Sequence, residues 1–241
     1  MGKNITITGK EKIELGIDEA GRGCVVGDMY IAGICLPISI KNLFKDVGVK
    51  DSKLLTPQQR EKIFNIIISR VPLALWTIIP STLIDEENIN ELFVDGVSSI
   101  VKRALSYFGS SLTKIVIDLT GNKSKIIGRI RDIGFRGEII IEHKADAKYV
   151  SVGAASILAK VLRDKHIRLL EEKYGSIGSG YPSDPKTLFW IKKMVSEKGM
   201  LPSIVRRTWS TIKKIAPEYY KEKRRKTTGR QRSLLEFINY G

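Results

Sequence analysis

Ile13-Glu14-Leu15-Gly16-Ile17-Asp18-Glu19-Ala20-Gly21-Arg22-Gly23 is an apolar segment that runs into two carboxylates and then into a glycine-bracketed arginine. Ile13 to Ile17 has the make-up of a buried strand. Side chains alternate across a strand, so Asp18 and Glu19 can serve one site only where the strand is ending. Gly21 and Gly23 supply the tight turn that ends it. Met29 to Leu36 is a second apolar stretch, stopped by Pro37.

Farther along, Thr56-Pro57-Gln58-Gln59 carries a helix start, with Thr as N-cap, Pro at the first position and Gln at the third. Ile63, Phe64, Ile67 and Ile68 give that helix an apolar face. Val71 to Ile79 reads as a strand and Asn90 to Phe108 as a helix. Lys114-Ile115-Val116-Ile117-Asp118 is a short buried strand that ends, again, in a carboxylate. Ser124 to Ile133 reads as a helix, Glu138 to Glu142 as a strand, and Val150 to Tyr174 as a long helix closed by Gly175. Gly178 to Pro182 is a loop, and Asp184-Pro185 opens another helix. Strands come first, then strands alternating with helices. That order predicts an α/β fold with a mixed central sheet flanked by helices.

The chain has 241 residues, enough for one large core or a core with a small appendage. No apolar run is long enough to span a bilayer. Met1 to Lys12 is polar and lacks the apolar core of a signal peptide, so the expected location is the cytoplasm. Cys24 and Cys35 are too few for a disulfide framework or a four-thiolate zinc site, and read as small buried hydrophobes. His143 and His166 have no second ligand at metal spacing. The net charge of +15 points to a polyanionic partner, nucleic acid before membrane.

Four carboxylates remain as candidates for chemistry: Asp18 and Glu19, Asp118, and Asp146 in Lys144-Ala145-Asp146-Ala147, between a strand and the long helix. From strand ends and a helix start they can converge on one sheet edge. Packed like charges repel, and they persist only with cations to balance them. Oxygen-only donors favour Mg²⁺ or Mn²⁺ over zinc. Taken singly, each has a plainer reading: Asp146 as a residue opening the long helix, Asp118 as a turn cap.

These residues sit in segments that resemble the type 2 ribonucleases H, the ribonuclease HII family in its archaeal and eukaryotic form. Gly16 to Gly23 resembles the opening motif, and Asp51-Ser52-Lys53-Leu54-Leu55-Thr56 a second segment. Lys144 to Ala147, with Ala154 to Val161 and Arg163-Asp164, resembles a third; Ser179-Gly180-Tyr181-Pro182-Ser183-Asp184-Pro185 resembles a fourth. Together they run from about Ile13 to Ile215, in the family's order.

The resemblance implies a ribonuclease H-like fold with a C-terminal helical extension. The domains would be residues 1–175 as the catalytic domain, 176–220 as a helical region beside the active site, and 221–241 as a basic tail. It implies hydrolysis of the RNA strand in RNA/DNA hybrids and cutting 5′ of a single ribonucleotide embedded in duplex DNA. Asp18, Glu19, Asp118 and Asp146 match the catalytic, metal-binding carboxylates, with two Mg²⁺ or Mn²⁺ ions acting during catalysis and leaving 3′-hydroxyl and 5′-phosphate ends. Gly21-Arg22-Gly23 matches the motif that reads the 2′-OH, and Tyr181 the tyrosine that senses the RNA–DNA junction. The expected biology is RNA primer removal and ribonucleotide excision repair. Lys53, Lys160 and Arg163 are candidate phosphate contacts, each with an ordinary surface reading beside it.

From Lys221 to Arg232 the chain turns strongly basic, which reads as a linker. Gln231-Arg232-Ser233-Leu234-Leu235-Glu236-Phe237-Ile238 resembles a peptide that binds the PCNA sliding clamp: Gln231, Leu234 and Phe237 fit, and Ile238 replaces the usual second aromatic. An apolar plug on a basic tether suits a groove on a partner; the same spacing also suits a helix packed on its own domain. Two other functions share some of these features. A different nuclease or resolvase of the superfamily needs the carboxylates but no 2′-OH; a non-catalytic RNA-binding protein needs the charge but no carboxylate cluster.

Overall fold

The computed structural model describes residues 11–46, 49 and 55–223. Lys53 and the tail residues Gln231, Leu234, Phe237 and Ile238 lie outside the described residues. Strand β1 is Ile13–Ala20, β2 Met29–Pro37, β3 Leu73–Ile79, β4 Leu112–Asp118 and β5 Glu138–Glu142. They form one five-stranded sheet in the order β3-β2-β1-β4-β5. Gly21–Asp28, the link between β1 and β2, is too short for a parallel crossover. β1 and β4 run parallel, as do β4 and β5. The sheet is therefore mixed, as the α/β pattern predicts, and it is flanked by helices. The longer ones are α2 (Pro57–Ile68), α4 (Ile89–Phe108), α5 (Lys123–Asp132), α7 (Val150–Tyr174) and α8 (Pro185–Lys198). Shorter ones are α1 (Lys41–Asp46), α3 (Ser81–Glu86), α6 (Ala145–Lys148) and α9 (Ser210–Ile215).

The helix starts obey local chemistry. Thr56 accepts the Gln59 N–H at 3.2 Å and Gln59 Oε1 accepts the Thr56 N–H at 2.8 Å, a complete capping box ahead of Pro57. Asp184 caps α8 ahead of Pro185. α5 starts at Lys123 rather than Ser124, because Asn122 accepts the Lys125 N–H. β1 does not end at Ile17 but continues to Ala20, so Asp18 and Glu19 are strand residues within its last three positions, where the strand is ending.

Two compact units make up the chain. One comprises the described residues of Met1–Ala20, Ile31–Thr77 and Phe93–Val161. Its core is the apolar content of β1, β2 and β4, with Leu15, Ile17, Ile34, Ile115 and Ile117 all at 0% exposure. Each such side chain contributes about 1.5–3 kcal/mol on burial. Helix α7 opens directly against β1: a Cβ on Gly16 would stand 2.2 Å from the Ser151 carbonyl carbon, so only glycine permits that approach. The other unit comprises Gly21–Tyr30, Ile78–Leu92 and the described part of Leu162–Gly241. Its core gathers Val25, Val26, Ile177, Trp190, Ile191, Val205 and Ile212. Among the described residues no helix is long and apolar enough to cross a membrane.

Candidate active site

In the sheet-bearing unit, register sets the acids. Ile17 and Ile117 are the last pair of the parallel β1–β4 ladder, so the next residues, Asp18 and Asp118, follow it as neighbours on adjacent strands. Carboxyl ends of adjacent parallel strands are where α/β sheets build sites. Asp18 is 5% exposed and its carboxyl is held well above the usual range. Burial is the largest cause, then repulsion from Glu19 and, less strongly, from Asp118; hydrogen bonds from Ser156 and the Glu19 N–H offset part of the rise. The Glu19 N–H donates to Asp18 Oδ1 at 2.8 Å, and the Thr120 hydroxyl donates to Glu19 Oε1 at 2.9 Å.

Asp118 Oδ1 accepts the Ala145 N–H at 2.9 Å. Ala145 opens α6, whose second residue is Asp146, 3% exposed. Asp146 therefore does not open the long helix; it rides on a short helix of its own. That helix is entered through Lys144 at φ +58°, the one non-glycine residue with positive φ among the described residues. Such a conformation costs of order 1–3 kcal/mol and tends to mark functional sites. Here it stands two residues before Asp146.

Among the described residues no three acid, histidine or cysteine side chains form a group ready to hold a metal ion. The donor chemistry fits a hard divalent cation all the same. It is all oxygen, and burial together with the neighbouring Glu19 and Asp118 raises the Asp18 carboxyl, a repulsion a cation would relieve. Lys160 lies on α7, half-buried.

The second unit holds Gly21-Arg22-Gly23 and Ser179-Gly180-Tyr181 in one hydrogen-bonded cluster. Gly180 O accepts the N–H groups of Val25 and Val26 at 2.9 and 3.1 Å. Gly21 has φ +84°, and a Cβ there would stand 2.7 Å from Asp28 O. Arg22 donates to Asn90 Oδ1. Arg163, expected at a phosphate, is 6% exposed. Its guanidinium donates to Ser179 O, to Cys24 Sγ at 3.1 Å and to Asp164 at 3.2 Å, and stacks on the Tyr181 ring at 4.9 Å. Tyr181 is 37% exposed, and burial pushes its hydroxyl up to about 12. Cys24 and Cys35 are buried, as expected, and burial raises both thiols.

Sequence reading passed over Arg206. It is 0% exposed and donates to three carbonyls: Gly21 O at 2.6 Å, Arg22 O at 2.7 Å and Gly27 O at 2.8 and 3.0 Å. The only signal available was an arginine directly after the apolar pair Ile204-Val205, with Arg207 next to it.

Comparison with known proteins fits this geometry. Residues 15–212 match the family Ribonuclease HII. A Ribonuclease HII of Saccharolobus solfataricus is 40% identical over 215 residues, covering 88% of this chain and 99% of that protein. The crystal structure of ribonuclease H2 from Pyrococcus horikoshii matches with a TM-score of 0.75 at 39% identity, over 86% of this chain and 98% of that one. A structure of the PCNA:RNase HII complex from Archaeoglobus fulgidus matches with a TM-score of 0.74 at 33% identity, over 84% of this chain and 96% of that one.

Proposed function

The chain belongs to the ribonuclease HII family and is a type 2 ribonuclease H, and from that premise we propose that it hydrolyses the RNA strand of RNA/DNA hybrids and incises duplex DNA on the 5′ side of a single ribonucleotide. Such an activity leaves 3′-hydroxyl and 5′-phosphate ends and serves RNA primer removal and ribonucleotide excision repair in the cytoplasm.

One observation carries the reading: Asp18, buried at the end of a central strand, faces the repulsion of both Glu19 and Asp118. A fold keeps such a cluster at a cost, and a cation explains the cost. Asp18, Glu19, Asp118 and Asp146 would hold two divalent ions, Mg²⁺ or Mn²⁺, which when bound lower the pKa of an attacking water and balance charge at the departing 3′ oxygen. The chain's own residues do the rest. Asp118 holds α6 through Ala145 and so orients Asp146. Ser156 steadies the Asp18 carboxyl.

A nuclease of this kind must sense the 2′-OH, the reliable local difference between RNA and DNA. Gly21-Arg22-Gly23 is suited to that task because its backbone can approach a ribose closely. Only Ala20 separates it in sequence from Glu19. Tyr181 would stack on the following deoxyribose, its ring backed by Arg163. Lys53 and Lys160 would contact phosphates, adding salt-sensitive affinity without sequence preference. The tail, through Gln231, Leu234, Phe237 and Ile238, would dock on a PCNA clamp; the relative solved as a PCNA complex supports that extension.

The test is cleavage of three duplexes of one sequence: an RNA/DNA hybrid, a DNA duplex with one ribonucleotide, and all-DNA. Cutting of the first two and not the third supports the reading. Equal cutting of all three would point to a nuclease blind to the 2′-OH.

A further inference from the structure

Arg206 is a buried guanidinium whose acceptors are backbone carbonyls, with Asp28 and Asp85 acting on it only at longer range. Burial lowers its pKa to about 10, which still leaves it charged at neutral pH. Burying a charge away from a carboxylate partner is expensive, so its hydrogen bonds must return much of that cost. Trp209 covers the guanidinium, 5.1 Å from the ring centroid, and the Val26–Val205 bridge and the Arg206 N–H to Val25 O bond at 2.9 Å fix its backbone.

What it holds is specific. Gly21 O and Arg22 O are the carbonyls of two consecutive peptides. A trans peptide is planar, with its N–H opposite its C=O. Pinning Gly21 O therefore aims the Arg22 N–H away from the guanidinium, and pinning Arg22 O does the same for the Gly23 N–H. Gly27 O, taken twice, closes the far end of the same loop. One cation thus sets two peptide planes in the turn. We infer that Arg206 is a positioning residue for ribose recognition, holding the Gly21–Gly23 peptides in the orientation that discriminates RNA from DNA. The inference rests on the reading of that turn as the ribose sensor.

A purely structural arginine would change stability without changing discrimination, and this separates the two roles. The experiment measures KM and kcat of the full chain on a duplex with one ribonucleotide. It also measures the inhibition constant of the all-DNA duplex of the same sequence, and the melting temperature. The preference is the inhibition constant divided by KM. Lysine at 206 keeps the charge but cannot span two peptides, so Arg206→Lys should lower the preference by about tenfold, the size of one lost charged hydrogen bond. The all-DNA inhibition constant should stay within about twofold, since phosphate contacts are untouched. Trp209→Phe, which loosens the guanidinium without removing it, should lower the preference by about threefold and decides the matter if Arg206→Lys fails to fold. An unchanged preference in a folded variant, with only a lower melting temperature, overturns the inference. A wild-type preference near one overturns the reading of the turn itself, and the inference with it.

Discussion

Asp118 accepts the backbone N–H of Ala145 at 2.9 Å, linking the end of a central strand to the first residue of the helix that carries Asp146. The same carboxylate is one of those proposed to hold a metal ion, and the two roles separate by substitution. Asn keeps the acceptor oxygen and loses the charge. Asp118→Asn should retain the melting temperature and duplex binding while losing activity by about a hundredfold or more. Asp118→Ala should in addition lose about 1 kcal/mol of stability with the capping bond. Retained activity in Asp118→Asn removes this residue from the metal-binding set.

Asp18 pays the electrostatic cost of the site. Its carboxyl is held well above the usual range by burial, Glu19 and Asp118. Asp18→Asn should raise the melting temperature of the metal-free protein, by about 3 °C for about 1 kcal/mol of relieved strain, while abolishing cleavage. Thermal melts in chelator check the first effect and an activity assay the second. A lower melting temperature would mean that Asp18 is held by favourable contacts.

Gly21 and Gly23 differ in what a methyl would meet. At Gly21 it would clash with Asp28 O at 2.7 Å, on a backbone at φ +84°. At Gly23 it would reach only the Tyr181 ring, at 4.0 Å. Gly21→Ala should cost about 2 kcal/mol of stability. Gly23→Ala should melt like wild type and still cut ribonucleotide duplexes poorly, because on the proposed reading the methyl stands where a ribose approaches. Wild-type kinetics for Gly23→Ala would contradict that approach.

Asp184 makes a pH-dependent contribution opposite in sign to that of Asp18. It accepts N–H bonds from Ser179 at 2.6 Å and from Lys186 at 2.9 Å, which hold its carboxyl below the usual value, the Ser179 bond foremost. A group with a depressed folded pKa stabilises above its unfolded value of 3.8, and that contribution is lost as the pH falls through the lowered one. The melting-temperature difference between wild type and Asp184→Asn should shrink between about pH 5 and about pH 3. A constant difference would show that the charge on Asp184 adds nothing.

Much of this was legible because local chemistry writes itself in short patterns. The capping box at Thr56, the cap at Asp184 and the strand ending in Asp118 all depend on neighbours within a few residues. The mixed sheet flanked by helices fits the same pattern, as it follows from the alternation of elements, whereas the strand order β3-β2-β1-β4-β5 has no such local signature. What depends on distant partners was not legible. Arg163 and Arg206 look like surface cations in a chain of net charge +15, and only tertiary contacts turn them inward. The positive φ at Lys144 has no residue signature, since lysine does not favour that region. The extension of β1 through Glu19 was missed because two acids at a strand end look like a loop, whereas pairing across the sheet outweighs that weak preference.

The most direct measurement maps the incision on a DNA duplex bearing one ribonucleotide, with Mg²⁺ or Mn²⁺ and with chelator. The account predicts a single cut on the 5′ side of the ribonucleotide, with 3′-hydroxyl and 5′-phosphate ends, lost on chelation. Cutting that persists in chelator, or that leaves a 2′,3′-cyclic phosphate, would contradict it.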